Sequence, residues 1–168
     1  RLLQSLNLQP SDSILEIEEC PASMAIIGGG YIAAEYGHFF SAMGARVTIV
    51  GRNPRFLPEE EPEVSALAAE KMAAHMKIMT GHEVVAVSKK SGGGLSLQMT
   101  ASDGGRRELE VDTILVATGR QSNSDLLKPQ RSGIDTDPDG WIAVDERLET
   151  TCSNIWAFGD ANGRHLFK

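Results

Sequence analysis

The chain has 168 residues, 41% hydrophobic and 23% charged, a composition that supplies a packed core, argues against disorder and suits one domain rather than a multidomain enzyme. Sixteen Lys and Arg against 23 Asp and Glu give a formal charge of −7, a poor balance for wrapping a nucleic acid or lying on an anionic bilayer. Any phosphate site must therefore be local, made of backbone N–H groups and one or two cations.

Residues 1–21 form a polar, weakly patterned lead, in which Ser11-Asp12-Ser13 can cap a short helical turn and Cys20-Pro21 blocks further helix. Met24-Ala25-Ile26-Ile27 is a short apolar run without alternation, as expected of a strand buried on both faces. Gly28-Gly29-Gly30 breaks it. From Tyr31 to Met43 the spacing predicts a helix, with Ile32, Tyr36, Phe39 and Phe40 recurring at intervals of three and four, and Gly44 stops it as a left-handed cap. Arg46-Val47-Thr48-Ile49-Val50 is a second strand, ended by Gly51. Strand, glycine turn, helix and strand make a compact βαβ unit.

The acidic stretch Pro58 to Glu63 leads into a helix running to His75 or Met76. Carboxylates there suit the positive end of the helix, a plainer explanation than a metal site. Val84 to Val87, Leu95 to Met99 and Glu108 to Val111 are short strands separated by glycine turns, which predicts an antiparallel meander. Thr113 to Ala117 is again a continuous apolar strand, closed by Thr118-Gly119. The expected fold class is α/β: a Rossmann-like βαβ nucleotide-binding domain with an antiparallel β-meander insertion.

Gly28-Gly29-Gly30-Tyr31-Ile32-Ala33 fits G-x-G-x-x-A, with Gly37 four residues on. The small residues have separate steric roles. Gly28 permits the turn out of the strand, Gly30 lets backbone approach a pyrophosphate, and Ala33 and Gly37 let the helix pack closely on the sheet. The diphosphate of a pyridine dinucleotide would sit on the N–H groups and positive dipole of the helix that begins near Tyr31. A glycine triplet alone also occurs in plain turns, but here it lies between a buried strand and a helix, as the fingerprint requires. The second strand ends in Val50-Gly51-Arg52-Asn53-Pro54-Arg55, without the acid that would bind the 2′-hydroxyl of NAD. Gly51 leaves room and Arg52 offers a bidentate fork, so NADP is favoured over NAD. Arg55, by contrast, reads as a solvated loop charge.

The segments Gly28 to Glu35, Ala117-Thr118-Gly119-Arg120, and Thr150 with Trp156-Ala157-Phe158-Gly159-Asp160, in that order, resemble the flavin-dependent pyridine nucleotide–disulfide oxidoreductases: glutathione reductase, dihydrolipoamide dehydrogenase, mercuric reductase and relatives. The resemblance implies a lead from the FAD domain (1–22), an NAD(P)-binding domain (23–145) and a segment returning to the FAD domain (146–168). It implies that Ala117, Thr118 and Gly119 border both cofactors and that Asp160 hydrogen-bonds the ribityl chain of FAD. Tyr31 resembles the tyrosine that covers the flavin, Glu35 the helix glutamate near the nicotinamide, and Arg52 an arginine of NADP-preferring members. Alternatives are a half-exposed aromatic at a helix start, a solvated carboxylate and a loop charge. Ser122 replaces a frequent proline, which is expected to loosen its loop, and Pro58 stands where some NADP-preferring members carry a second arginine.

The resemblance also implies hydride transfer from NAD(P)H to FAD and onward to a disulfide, in a homodimeric complete enzyme. Cys20 and Cys152 do not have the C-x-x-x-x-C spacing of that disulfide and read as buried or incidental thiols. His38, His75, His82 and His165 show neither a nucleophile partner nor metal spacing. No catalytic residue and no metal ligand is therefore assigned. A chain opening on Arg1 is expected to be a piece of something longer, binding a dinucleotide without turnover, its tail from about Glu146 poorly docked without its FAD domain or packed against a neighbouring molecule. No leader or membrane span is visible and the sparse cysteines suit a reducing cytosol, so the expected location is cytoplasmic. The competing reading is a freestanding dinucleotide-binding or redox-sensing module without catalysis.

Overall fold

The apolar run after Pro21 is strand β2, Ser23–Ile27, in a computed structural model that describes residues 8–10 and 13–164. In chain order the other elements of this part are β1 (Gln9–Pro10), α1 (Tyr31–Ala42), β3 (Arg46–Val50), α2 (Pro62–Ala73), β4 (Lys77–Met79), β5 (His82–Lys89), β6 (Leu95–Ala101), β7 (Arg106–Val111) and β8 (Thr113–Val116). A parallel sheet has the order β1-β8-β2-β3-β4, and β5-β6-β7 form a separate antiparallel sheet. Ile26 pairs in register with Ile49 on one side and with Leu115 on the other.

Strand β2 lacks alternation because both of its faces are covered. Met24 and Ile26 join Ala33, Phe40, Val47, Ile49 and Leu115 in one buried cluster, on the side of α1. Ala25 points the other way and packs with Leu95, Leu97, Val111 and Ile114, so the meander covers the second face. The expected meander and both core strands are therefore found. Two strands escape the sequence pattern: β1 has two residues and β4 only three, both at sheet edges.

Helix α1 packs differently from its apolar spacing. Its buried residues are Ala33, Gly37 and Phe40, whereas Phe39 is 46% exposed. A Cβ on Gly37 would come within 3.0 Å of Ile49 Cδ1 and 3.1 Å of Met76 Sδ. At Ala33 and Gly37 the helix lies too close to the sheet for larger side chains. Gly44, at φ +97°, follows the helix as expected. Ser11 and Asp12 lie outside the described residues. The adjoining turn Ile14–Glu16 has no side-chain cap, and the Ser13 hydroxyl donates instead to Gln9 Oε1 at 3.0 Å.

Length suggested one domain, yet the chain divides into two compact units, 1–118 and 119–168. The second closes on its own small core of Ile134, Ile142 and Ala157, with Val144 and Cys152 packed against it. Its helix α3 spans Ser124–Leu127. The tail expected to be poorly docked is tied into this unit. Asp145 Oδ1 accepts from the N–H groups of Arg147 and Glu149 at 2.8 and 2.9 Å, and the Ala157 N–H donates to Leu148 O at 3.0 Å. Ser122 does not loosen its loop either, since its hydroxyl donates to Gly140 O at 2.7 Å. No helix among the described residues is long and apolar enough to cross a membrane.

Candidate functional site

The chain leaves β2 for β3 on one side and later returns to β8 on the other. In open α/β sheets, ligands bind beyond the carboxyl ends of the strands at such a switch point. Here that position is occupied by Gly28-Gly29-Gly30. Gly28 has φ +133°, and a Cβ on it would lie 2.1 Å from Ala117 O. The end of β8 is fastened there by the Ala117 N–H donating to Ile27 O at 2.8 Å. Glycine at this position is therefore required by the fold itself.

Gly30 is a different case. It is the N-cap of α1 at φ −95°, ψ −166°, an extended conformation open to any residue. Beyond its two chain neighbours, no heavy atom would lie within 4 Å of its Cβ. Neither the backbone angles nor a residue beyond its chain neighbours demands glycine there, and the bare backbone leaves this helix end open to close approach. No side chain caps this helix end, and the first intrahelical bond runs from Ala34 N–H to Gly30 O at 3.1 Å. Helix-start amides and the macrodipole make such a terminus suited to an anion. The cradle thus fits a diphosphate.

Ala33 is fully buried and holds α1 to the sheet, while Ile32 is half-buried. Tyr31 is half-buried against the core at the helix start, and Glu35 is exposed one turn on. Gly51 closes β3 in van der Waals range of Gly29, its Cβ position 3.5 Å from Gly29 Cα. Arg52 follows, exposed and without an ion-pair partner among the described residues. Arg55, expected to be merely solvated, donates from Nη2 to Pro58 O at 3.0 Å and so braces its own loop. The structure thus gathers Gly28, Gly30, Tyr31, Ile32, Ala33, Gly51, Arg52, Ala117 and Thr118 around the carboxyl ends of β2, β3 and β8.

Two expected residues belong to the second unit. Gly119 has φ +131° with open space where a Cβ would stand. Asp160 is half-exposed and accepts from Arg120 Nη1 at 2.9 Å. A carboxylate has acceptor capacity beyond one such bond. The thiols are not buried: Cys20 is exposed and Cys152 intermediate. His38 and His75 are exposed, His82 Nδ1 lies 2.7 Å from Thr80 O, and His165 falls outside the described residues.

Sequence reasoning missed Leu57 and Ser65. The Leu57 N–H donates to Gly29 O at 2.7 Å, joining the loop after β3 to the glycine turn. The available signal was Phe56-Leu57, an apolar pair in an otherwise polar stretch, and both side chains are buried.

The model of the family described as pyridine nucleotide-disulphide oxidoreductase matches residues 4–166. The chain belongs to that family. It is 34% identical over 167 residues to mycothione reductase of Mycobacterium tuberculosis (strain CDC 1551 / Oshkosh), an alignment covering 99% of this chain and 35% of that protein. It is 35% identical to mercuric reductase of Staphylococcus aureus, over 89% of this chain and 27% of that one. Among solved structures it resembles the HOCl-induced flavoprotein disulfide reductase RclA from Escherichia coli, with TM-score 0.82 and 32% identity over 94% of this chain and 35% of that one. The chain spans about a third of the length of the curated relatives it matches. The family's enzymes are oxidoreductases that use a flavin and a pyridine nucleotide.

Proposed function

We propose that residues 23–145 form the NAD(P)H-binding domain of an FAD-dependent disulfide oxidoreductase, with NADP favoured, and that the chain is a part of that enzyme without turnover of its own. The observation that carries this is Gly30: a glycine with ordinary backbone angles, open space at its Cβ position and an uncapped helix behind it, at the switch point of a parallel sheet. Gly28, Gly30, Ile32 and Ala33 would seat the diphosphate. Gly51 and Arg52 would take the 2′-phosphate, and Tyr31 and Glu35 would border the nicotinamide end.

Flavin, when bound, supplies the two-electron relay between nicotinamide and a disulfide or related acceptor. Ala117, Thr118 and Gly119 would border it, and Asp160 would accept from its ribityl hydroxyls. Residues 146–168 would belong to the FAD domain. Trp156 and Phe158, 52% and 73% exposed, are the apolar side chains that domain would cover. The apportionment at residues 22 and 145 concerns which cofactor each segment serves, a different division from that into compact units. The complete enzyme would be a soluble homodimer.

Calorimetric titration with NADPH and NADH tests the reading. Binding of both, NADPH more tightly, is expected; heat from neither would remove the dinucleotide site, and tighter NADH would overturn the cofactor preference.

A further inference from the structure

The loop between β3 and α2 carries Arg52 and is held along its length. The Gly51 N–H donates to Met79 O at 2.9 Å, and Gly51 O accepts from the His82 N–H at 3.0 Å. Asn53 O accepts from the Gly81 N–H at 2.8 Å. Beyond Arg55 the chain turns inward, burying Phe56 and Leu57; Leu57 has a left-handed φ of +49°, and its N–H donates to Gly29 O. The Phe56 carbonyl, turned into the interior of an irregular loop, is met by the hydroxyl of Ser65.

Ser65 lies on α2 and is 3% exposed. Ala68, Ala69 and Met72 of the same helix pack on the apolar core. A hydroxyl buried on such a face needs an acceptor, and a buried loop carbonyl needs a donor. Each here satisfies the other, so the serine is explained by the loop and not by the helix.

We propose that Ser65 is a positioning residue for nucleotide selection: by holding the Phe56 carbonyl it sets the Leu57 amide on Gly29, and thereby where the Arg52 segment stands relative to the glycine turn. The ligand group concerned is the 2′-phosphate of a pyridine dinucleotide. This rests on the dinucleotide reading above. In that reading Arg52 serves the 2′-phosphate, which NADH lacks, so displacing its loop affects NADPH more than NADH.

The experiment titrates NADPH and NADH into the wild type, Ser65→Ala, Arg52→Ala and the double variant, with a thermal melt of each. Ser65→Ala is expected to weaken NADPH about tenfold and NADH less than about threefold. In the Arg52→Ala background, adding Ser65→Ala should leave the NADPH-to-NADH ratio unchanged, because the pair acts through one contact. An equal loss for both nucleotides, or an unchanged ratio in the single variant, overturns the role of Ser65. Should Ser65→Ala fail to fold, Ser65→Cys, of similar volume and a weaker donor, carries the same comparison. A wild type that binds neither nucleotide removes the dinucleotide reading itself, and this inference with it. A wild type that binds both beside an unaltered ratio in Ser65→Ala removes the inference alone.

Discussion

The carbonyl oxygen of Ala117 occupies the space that a side chain on Gly28 would need, 2.1 Å from the Cβ position. That contact joins the end of β8 to the turn after β2, and the obstacle is backbone, which cannot swing aside. Gly28→Ala combines this clash with a strained positive φ. We expect it to destabilise the chain by about 4 kcal/mol or more, an exceptional loss for a single substitution. Denaturant unfolding measures it, and a loss near 1 kcal/mol would mean that β8 yields readily.

Arg52→Glu replaces a cation that complements a 2′-phosphate with an anion that repels it. Because Arg52 is exposed and makes no ion pair among the described residues, folding should be almost unaffected. The proposed NADPH preference should vanish or reverse in paired titrations. A preference unchanged from wild type would show Arg52 to be a bystander.

Asp112 Oδ2 accepts from both the N–H and the hydroxyl of Ser23, at 2.8 and 2.7 Å, and binds the start of β2 to the turn between β7 and β8. Ser23 is buried, so Asp112→Ala leaves its polar groups short of a partner. The expected cost is about 1–3 kcal/mol, read as a lowered melting temperature with dinucleotide affinity otherwise retained. Unchanged stability would show that water replaces the carboxylate at no cost.

These cases mark what a sequence can disclose. Met24 to Ile27 is legible as a doubly covered strand because absence of alternation is local, and the glycine turn because its spacing is local too. Phe39 misleads: hydrophobic spacing weights large side chains, whereas close packing of α1 rests on Ala33 and Gly37. Strand β4 has three residues, including exposed Lys77, too few to show a period. Ser122 looks like a loosened proline position, but its hydroxyl finds Gly140, a partner 18 residues away. The bonds from Leu57 to Gly29 and from Ser65 to Phe56 join separate segments: the apolar pair Phe56-Leu57 signals burial, but nothing in the pattern names the partners.

Gly30→Val puts the central claim to its most direct trial. Beyond its two chain neighbours, a Cβ there meets no heavy atom within 4 Å, so the variant should still fold, losing only a little stability to a poorer N-cap, yet its methyl groups would fill the space a diphosphate needs. Calorimetry with NADPH should then show one site in the wild type and none, or one at least about a hundredfold weaker, in the folded variant. Equal binding by the two proteins would contradict the account.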